Sequence, residues 1–225
     1  FDLSLFKIRF FFAGNVTIFL NALARGALVL IMAFYLQGPS MRLNPLTAGL
    51  YLIPVSFTIA TFGPISGWLS DRYGSRFLTV LGLIVSAIGF LILSQIGSTT
   101  SFNDLVLPLS LVGAGMGLFA SPNRSSIMNS VPPQRRGVAA GMSTTLVTLG
   151  NIISLGVSFA LLASTIPLSE LESIFLGSSS NLNAGTAIPS FIKSIHLIFY
   201  ISTFVLIASI IPAIIQRPQK ERVIY

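Results

Sequence analysis

Six long apolar stretches, near 10–36, 46–69, 77–97, 105–130, 138–163 and 190–215, dominate the chain. About twenty apolar residues are needed to cross a bilayer core, and each stretch reaches that length. Within hydrocarbon a backbone must satisfy its own N–H and C=O groups, so a stretch of this kind spans as an α-helix. Barrel strands of about ten residues with alternating polarity do not fit runs so long and so uniformly apolar. The expected fold is all-α: a polytopic membrane protein whose residues 1–225 form one bundle of six transmembrane helices.

Only 8% of the residues are charged, against about a quarter in soluble domains. The net charge of +7 does not point to nucleic acid, because the basic residues sit at the ends of apolar runs rather than on one polar face interleaved with aromatics. That placement is the topology pattern of a membrane protein. With both chain ends inside, the cytoplasmic side receives Lys7, Arg9, Arg72, Arg76, Arg135, Arg136, Arg217, Lys220 and Arg222, and the outside receives Arg42 and Lys193. The expectation is a plasma-membrane protein with both ends cytoplasmic. The chain has no cysteine and one histidine, which leaves no disulfide framework and no metal-ligand set. No nucleotide or nucleophile constellation is recognisable, so neither an enzyme nor a cofactor is expected. A start at Phe1 suggests a piece of a longer protein.

The second and third apolar runs meet at Gly67-Trp68-Leu69-Ser70-Asp71-Arg72-Tyr73-Gly74-Ser75-Arg76. It reads as a cytoplasmic turn in which Gly67 admits a neighbouring helix and Gly74 allows a left-handed backbone. Asp71 is suited to accept hydrogen bonds from a helix start. Arg72 and Arg76 can pair with Asp71 or with lipid phosphates. Such a cluster can act as a conformational latch, or it can be a loop that only sets topology. The connection from Ser164 to Pro189 is the one long link, with Glu170 and Glu172 in a short amphipathic turn, and reads as a linker.

That charged stretch resembles the loop signature of the major facilitator superfamily, G-x-L-x-D-R-x-G-R-R/K, with Ser75 in place of one basic residue. Further stretches look like the fourteen-helix multidrug:proton antiporter branch. They are Phe1 to Lys7, Pro45-Leu46-Thr47-Ala48-Gly49-Leu50 followed by Pro54, and Ser121-Pro122-Asn123 leading to Val131-Pro132-Pro133-Gln134-Arg135-Arg136-Gly137. The resemblance implies the C-terminal six helices of a transporter whose N-terminal half is missing, built on a three-plus-three inverted repeat. It also implies membrane lipids as surroundings, a small-molecule substrate and protons as partners, and proton-coupled efflux of drugs or amphiphiles by alternating access. Uptake or symport of a small organic solute is the alternative, and a membrane scaffold fragment the non-transport one.

Arg25 lies inside the first run, where a cation costs about 2.5–3.5 kcal/mol on insertion scales. Thr17, Asn21 and Arg25 share one helical stripe, and no carboxylate of this chain falls at that depth. The expected partner of Arg25 is an acidic residue of the missing half or an anionic substrate group; snorkelling or pairing with helix carbonyls is the structural alternative. Arg124, late in the fourth run, reads as a snorkelling side chain. Gly113 and Gly117 predict close helix packing. Thr148 and Asn151 on a polar stripe of the fifth run complete the expected substrate pathway with Asn21 and Arg25. His196 reads as a satisfied polar residue near the outer interface.

Overall fold

The structure, a computed structural model, describes residues 3–38, 40–98, 100–165 and 184–215. Asp2, Glu170, Glu172, Arg217, Lys220, Glu221 and Arg222 lie outside the described residues. The elements are helical: α1 (Arg9–Arg25), α2 (Leu28–Gln37), α3 (Pro45–Tyr51), α4 (Ile53–Tyr73), α5 (Ser75–Leu93), α6 (Phe102–Asn129), α7 (Arg136–Thr165) and α8 (Ala184–Ile215), with short 3-10 turns at Leu3–Lys7 and Pro133–Arg135. Among the described residues, six segments are long and apolar enough to cross a membrane, the first combining α1 with α2 and the second α3 with α4.

Those two combined segments are broken, where the sequence predicts single helices over 10–36 and 46–69. Leu52 separates α3 from α4, because Pro54 has no N–H to give and its ring crowds the carbonyl one turn earlier. The start of α3 is written in the same stretch: Asn44 caps it by accepting from the Thr47 N–H at 2.8 Å, with Pro45 in the first turn. The break after Arg25 has a different cause. The Ala27 N–H leaves the helical ladder and donates to Ser154 Oγ of α7 at 3.1 Å.

Packing arranges the spans in two rows. α4, α6, α1 and α7 touch in that order along the front, while α5 and α8 touch each other and close the back. The pairings are unchanged when α1, α4 and α5 are exchanged for α6, α7 and α8: α4–α6 becomes α7–α1, α5–α6 becomes α8–α1, and α4–α5 becomes α7–α8. Because chain direction alternates, the exchange inverts each helix. The contacts thus carry the inverted-repeat pattern that two basic turns alone do not establish in the sequence.

Close seams hold the rows together. On one side of α6, Gly113 lies against Val55 and Thr58, and Gly117 against Phe62 and Gly63 of α4. On the other, Gly115 faces Gly82 and Ser86, and Gly89 meets Val112 and Pro108. Without a Cβ the backbones approach to within van der Waals contact, which drives helix association where no hydrophobic effect operates. Ser66 Oγ adds a bond to the Gly117 carbonyl at 2.9 Å. The Gly113-to-Gly117 packing follows the sequence; the α5 seam of Gly82, Ser86 and Gly89 was legible in the same helical spacing but needs its partner to be recognised.

The two ends are tied differently. At the end where α2 finishes, the Tyr35 hydroxyl reaches the Gly97 carbonyl at 2.9 Å and Thr100 Oγ1 at 2.8 Å, and His196 Nε2 donates to the Ile96 carbonyl at 2.6 Å. His196 is thus a satisfied polar residue that pins the α5–α6 link. At the opposite end Ser143 Oγ donates to Asn15 Oδ1 at 2.7 Å, while Leu5 and Phe11 pack with Ile127, Val131, Ala139 and Met142.

Candidate functional site

The front row encloses a cleft of about 640 Å³ lined from all four of its helices. α1 contributes Ile18, Asn21 and Arg25; α4 contributes Ile59, Gly63 and Pro64. Met116, Phe119, Ser121 and Arg124 come from α6, and Val147 from α7. Its walls are apolar, with a few polar groups aimed inward, the composition expected of a small-molecule site.

Arg25 closes the last turn of α1, at the break. It makes no hydrogen bond or ion pair among the described residues, and neither described carboxylate, Asp71 or Asp104, lines the cleft. The joint behind it is rigid. A Cβ on Gly26 would stand 2.8 Å from the Asn151 Cα and from Ser154 Cβ, so α1 bends where it rests directly on α7. Asn21 is 2% exposed, and its Nδ2 is buried without a partner.

The expected stripe of Thr17, Asn21 and Arg25 does not stay together. Thr17 is buried within the bundle, its hydroxyl donating to the Ala13 carbonyl at 2.8 Å, and only Asn21 and Arg25 line the cleft. A drift of 100° per residue separates positions eight apart, which turns Thr17 toward the interior. On α7 the cleft meets Val147. Thr148 is exposed and donates to the Thr144 carbonyl at 3.1 Å. Asn151 lies against Gly26 with its Oδ1 buried and unpartnered. Arg124, read in the sequence as an interfacial cation, shares the cleft with Arg25.

The Gly67-to-Arg76 stretch is less of a turn than the sequence suggests. Helix α4 continues through Asp71 and Arg72 to Tyr73, Gly74 alone makes the connection at φ 83°, and α5 begins at Ser75 with Arg76 in its first turn. Gly74 therefore uses the left-handed backbone that glycine permits. Gly67 faces Ser121 Oγ of α6, 3.1 Å from where a Cβ would lie. Asp71 does not cap α5, whose start has no side-chain cap; it is exposed and has no partner among the described residues. Arg72 does not pair with it, because adjacent residues on a helix point apart. Instead Arg72 stacks over Trp68 one turn away, 4.6 Å from the ring centroid, a cation–π contact at helical spacing.

Six helical segments long and apolar enough to span a membrane, with two sets of three that share one contact pattern and a cleft in the front row, make a polytopic membrane bundle. The sequence model of the Major Facilitator Superfamily matches residues 3–155, and the chain belongs to that family. It is similar to the riboflavin transporter RibZ of Clostridioides difficile, with 31% identity over 163 residues, 70% of this chain and 34% of RibZ. Similarity extends to the multidrug resistance protein Stp of Mycobacterium tuberculosis, 31% identical over 72% of this chain and 30% of Stp. The lincomycin resistance protein LmrB of Listeria innocua is 26% identical over 72% of this chain and 34% of LmrB. The chain thus spans about a third of the length of the curated relatives it matches.

Proposed function

We propose that this chain is the C-terminal six-helix half of a secondary active transporter of the plasma membrane, which exports drugs or other amphiphilic small molecules in exchange for protons. The cleft carries this reading: its four walls come from the row of helices left open on one side, as a site shared with a second half requires. α4 buries only Val55 and Ser66 of its length, which leaves most of that helix for the remainder of the protein and for lipid. The excess of basic residues at the end holding Arg9, Arg72 and Arg135 supports a cytoplasmic position for both ends.

Similarity to multidrug and lincomycin resistance proteins supports efflux. Similarity to a riboflavin transporter favours a second reading, movement of a small organic solute such as a vitamin. Proteoliposomes containing the full-length protein separate the two. Under the first reading, two amphiphilic drugs, zwitterionic norfloxacin and anionic fusidate, are driven by an imposed pH gradient and stop when the gradient is collapsed. Riboflavin flux without either drug supports the second; no protein-dependent flux of any of the three would overturn both.

In this arrangement the exposed Asp71 is free to bind a partner on the other half and hold one of two conformations. Asp71→Asn is expected to slow transport about tenfold while substrate affinity stays within about twofold, since a latch acts on exchange between states and not on the site. Affinity falling as steeply as rate would instead assign Asp71 to the substrate site.

A further inference from the structure

The charged groups of the cleft are unbalanced. Two guanidinium groups, Arg25 and Arg124, line it from α1 and α6. The buried Asn21 Nδ2 on the same wall is a third donor without a partner. Against them the lining offers no carboxylate, and apart from the Ser121 hydroxyl its remaining side chains are apolar, among them Ile18, Ile59, Met116 and Phe119. A buried donor left unpaired, as Asn21 Nδ2 is, costs about 1–3 kcal/mol. Two cations facing one weakly polar cavity also repel, and only an anion relieves both costs at once. The guanidinium fork suits a planar two-oxygen anion, which it can hold through two parallel hydrogen bonds.

We infer that the cleft takes an amphiphilic organic anion or zwitterion, its carboxylate or similar acidic group held between Arg25 and Arg124 and its apolar body against Ile18, Ile59, Met116 and Phe119. This rests on the transport reading and narrows it: the substrates are acids or zwitterions with a flat or bulky apolar part. A carboxylate supplied by the rest of the transporter would present the same chemistry, so the test has to tell the two sources apart.

Equilibrium dialysis of the full-length protein in maltoside micelles, corrected for empty micelles, does so with three probes sharing one apolar body: 1-naphthoate, 1-naphthalenemethanol and 1-naphthylmethylammonium. The wild type is expected to hold the acid about tenfold or more tighter than the alcohol, the worth of about 1.4 kcal/mol. Arg25→Gln and Arg124→Gln should each remove most of that preference and leave affinity for the alcohol within about twofold, because uncharged contacts are untouched. Arg124 is exposed, so its variant keeps the test decisive if Arg25→Gln fails to fold. Equal retention of acid and alcohol by the wild type overturns the proposal. So does a wild type indifferent to charge whose Arg25→Gln variant captures the ammonium, since that result assigns the pairing carboxylate to the protein. A protein that prefers the acid yet moves no solute across proteoliposomes supports the inferred site and overturns the transport reading alone.

Discussion

Arg25→Ala in the full-length protein is expected to abolish transport while expression and membrane insertion remain normal. The sign of the insertion effect makes the experiment informative. A cation at this depth costs about 2.5–3.5 kcal/mol to insert, so its removal eases insertion, and a loss of transport cannot be put down to failed assembly of the span. Arg25 sits in the last turn of α1, against a joint fixed by the Ala27 N–H to Ser154 bond and by the contact of Gly26 with Asn151. Its side chain is therefore delivered to the cleft by a backbone with little freedom. With Arg25 paired to an anionic group as proposed, deleting one member of a buried charge pair costs about 3–5 kcal/mol, which is two to four powers of ten in rate or affinity at about 1.4 kcal/mol each. Arg25→Lys keeps the charge but loses the planar fork, and an intermediate loss is expected. Flux unchanged in proteoliposomes of Arg25→Ala would reduce Arg25 to a structural residue.

Which parts of this architecture the sequence discloses depends on how far apart the responsible atoms lie. The six spans are legible because the bilayer imposes a local requirement on every run, length and apolarity, that needs no knowledge of neighbours. The break at Leu52 is equally local, since Pro54 carries its cause. The break after Arg25 is not: no proline marks it, and it depends on a serine 127 residues away. Arg25 stands out because charge is rare inside an apolar run. Arg124 does not, because near a run's end it looks like any topology-setting cation, and only the packing of α6 between α4 and α1 turns it toward the cleft. The Asp71 stretch shows the opposite error. Several polar residues together suggest a loop, yet one glycine at positive φ is enough to reverse the chain, and Asp71 stays on the helix.

Along the seam where α4 and α6 run parallel, alanine is expected to do graded damage. The cost should fall from Gly113 through Gly117 to Gly67 as the neighbouring atoms change from fixed to mobile. A Cβ at Gly113 would overlap the Val55 carbonyl and Thr58 Oγ1 and lie 2.9 Å from the Val55 Cα. Backbone atoms can yield only if the helices separate, and α6 has no room to retreat, because Gly115 behind it already faces the Gly82 carbonyl at 2.5 Å from a Cβ position. Overpacking of this kind costs about 1–3 kcal/mol or more, so Gly113→Ala should lie at or beyond the top of that range and Gly113→Leu should yield no folded protein. At Gly117 the nearest atoms, Gly63 N and Phe62 Cβ, stand at 3.0 Å, and about 1–2 kcal/mol is expected. At Gly67 the single neighbour is a rotatable hydroxyl, Ser121 Oγ at 3.1 Å, so the loss should stay below about 1 kcal/mol. Thermal unfolding of the three variants in detergent, followed by size-exclusion chromatography, reads the order directly. A flat series would mean that α4 and α6 are not held by backbone contact. The same series also separates two roles of glycine in this chain: Gly67→Ala should leave stability nearly intact, so any loss of transport in that variant would arise from the Asp71 end of α4 as it moves, not from the bundle coming apart.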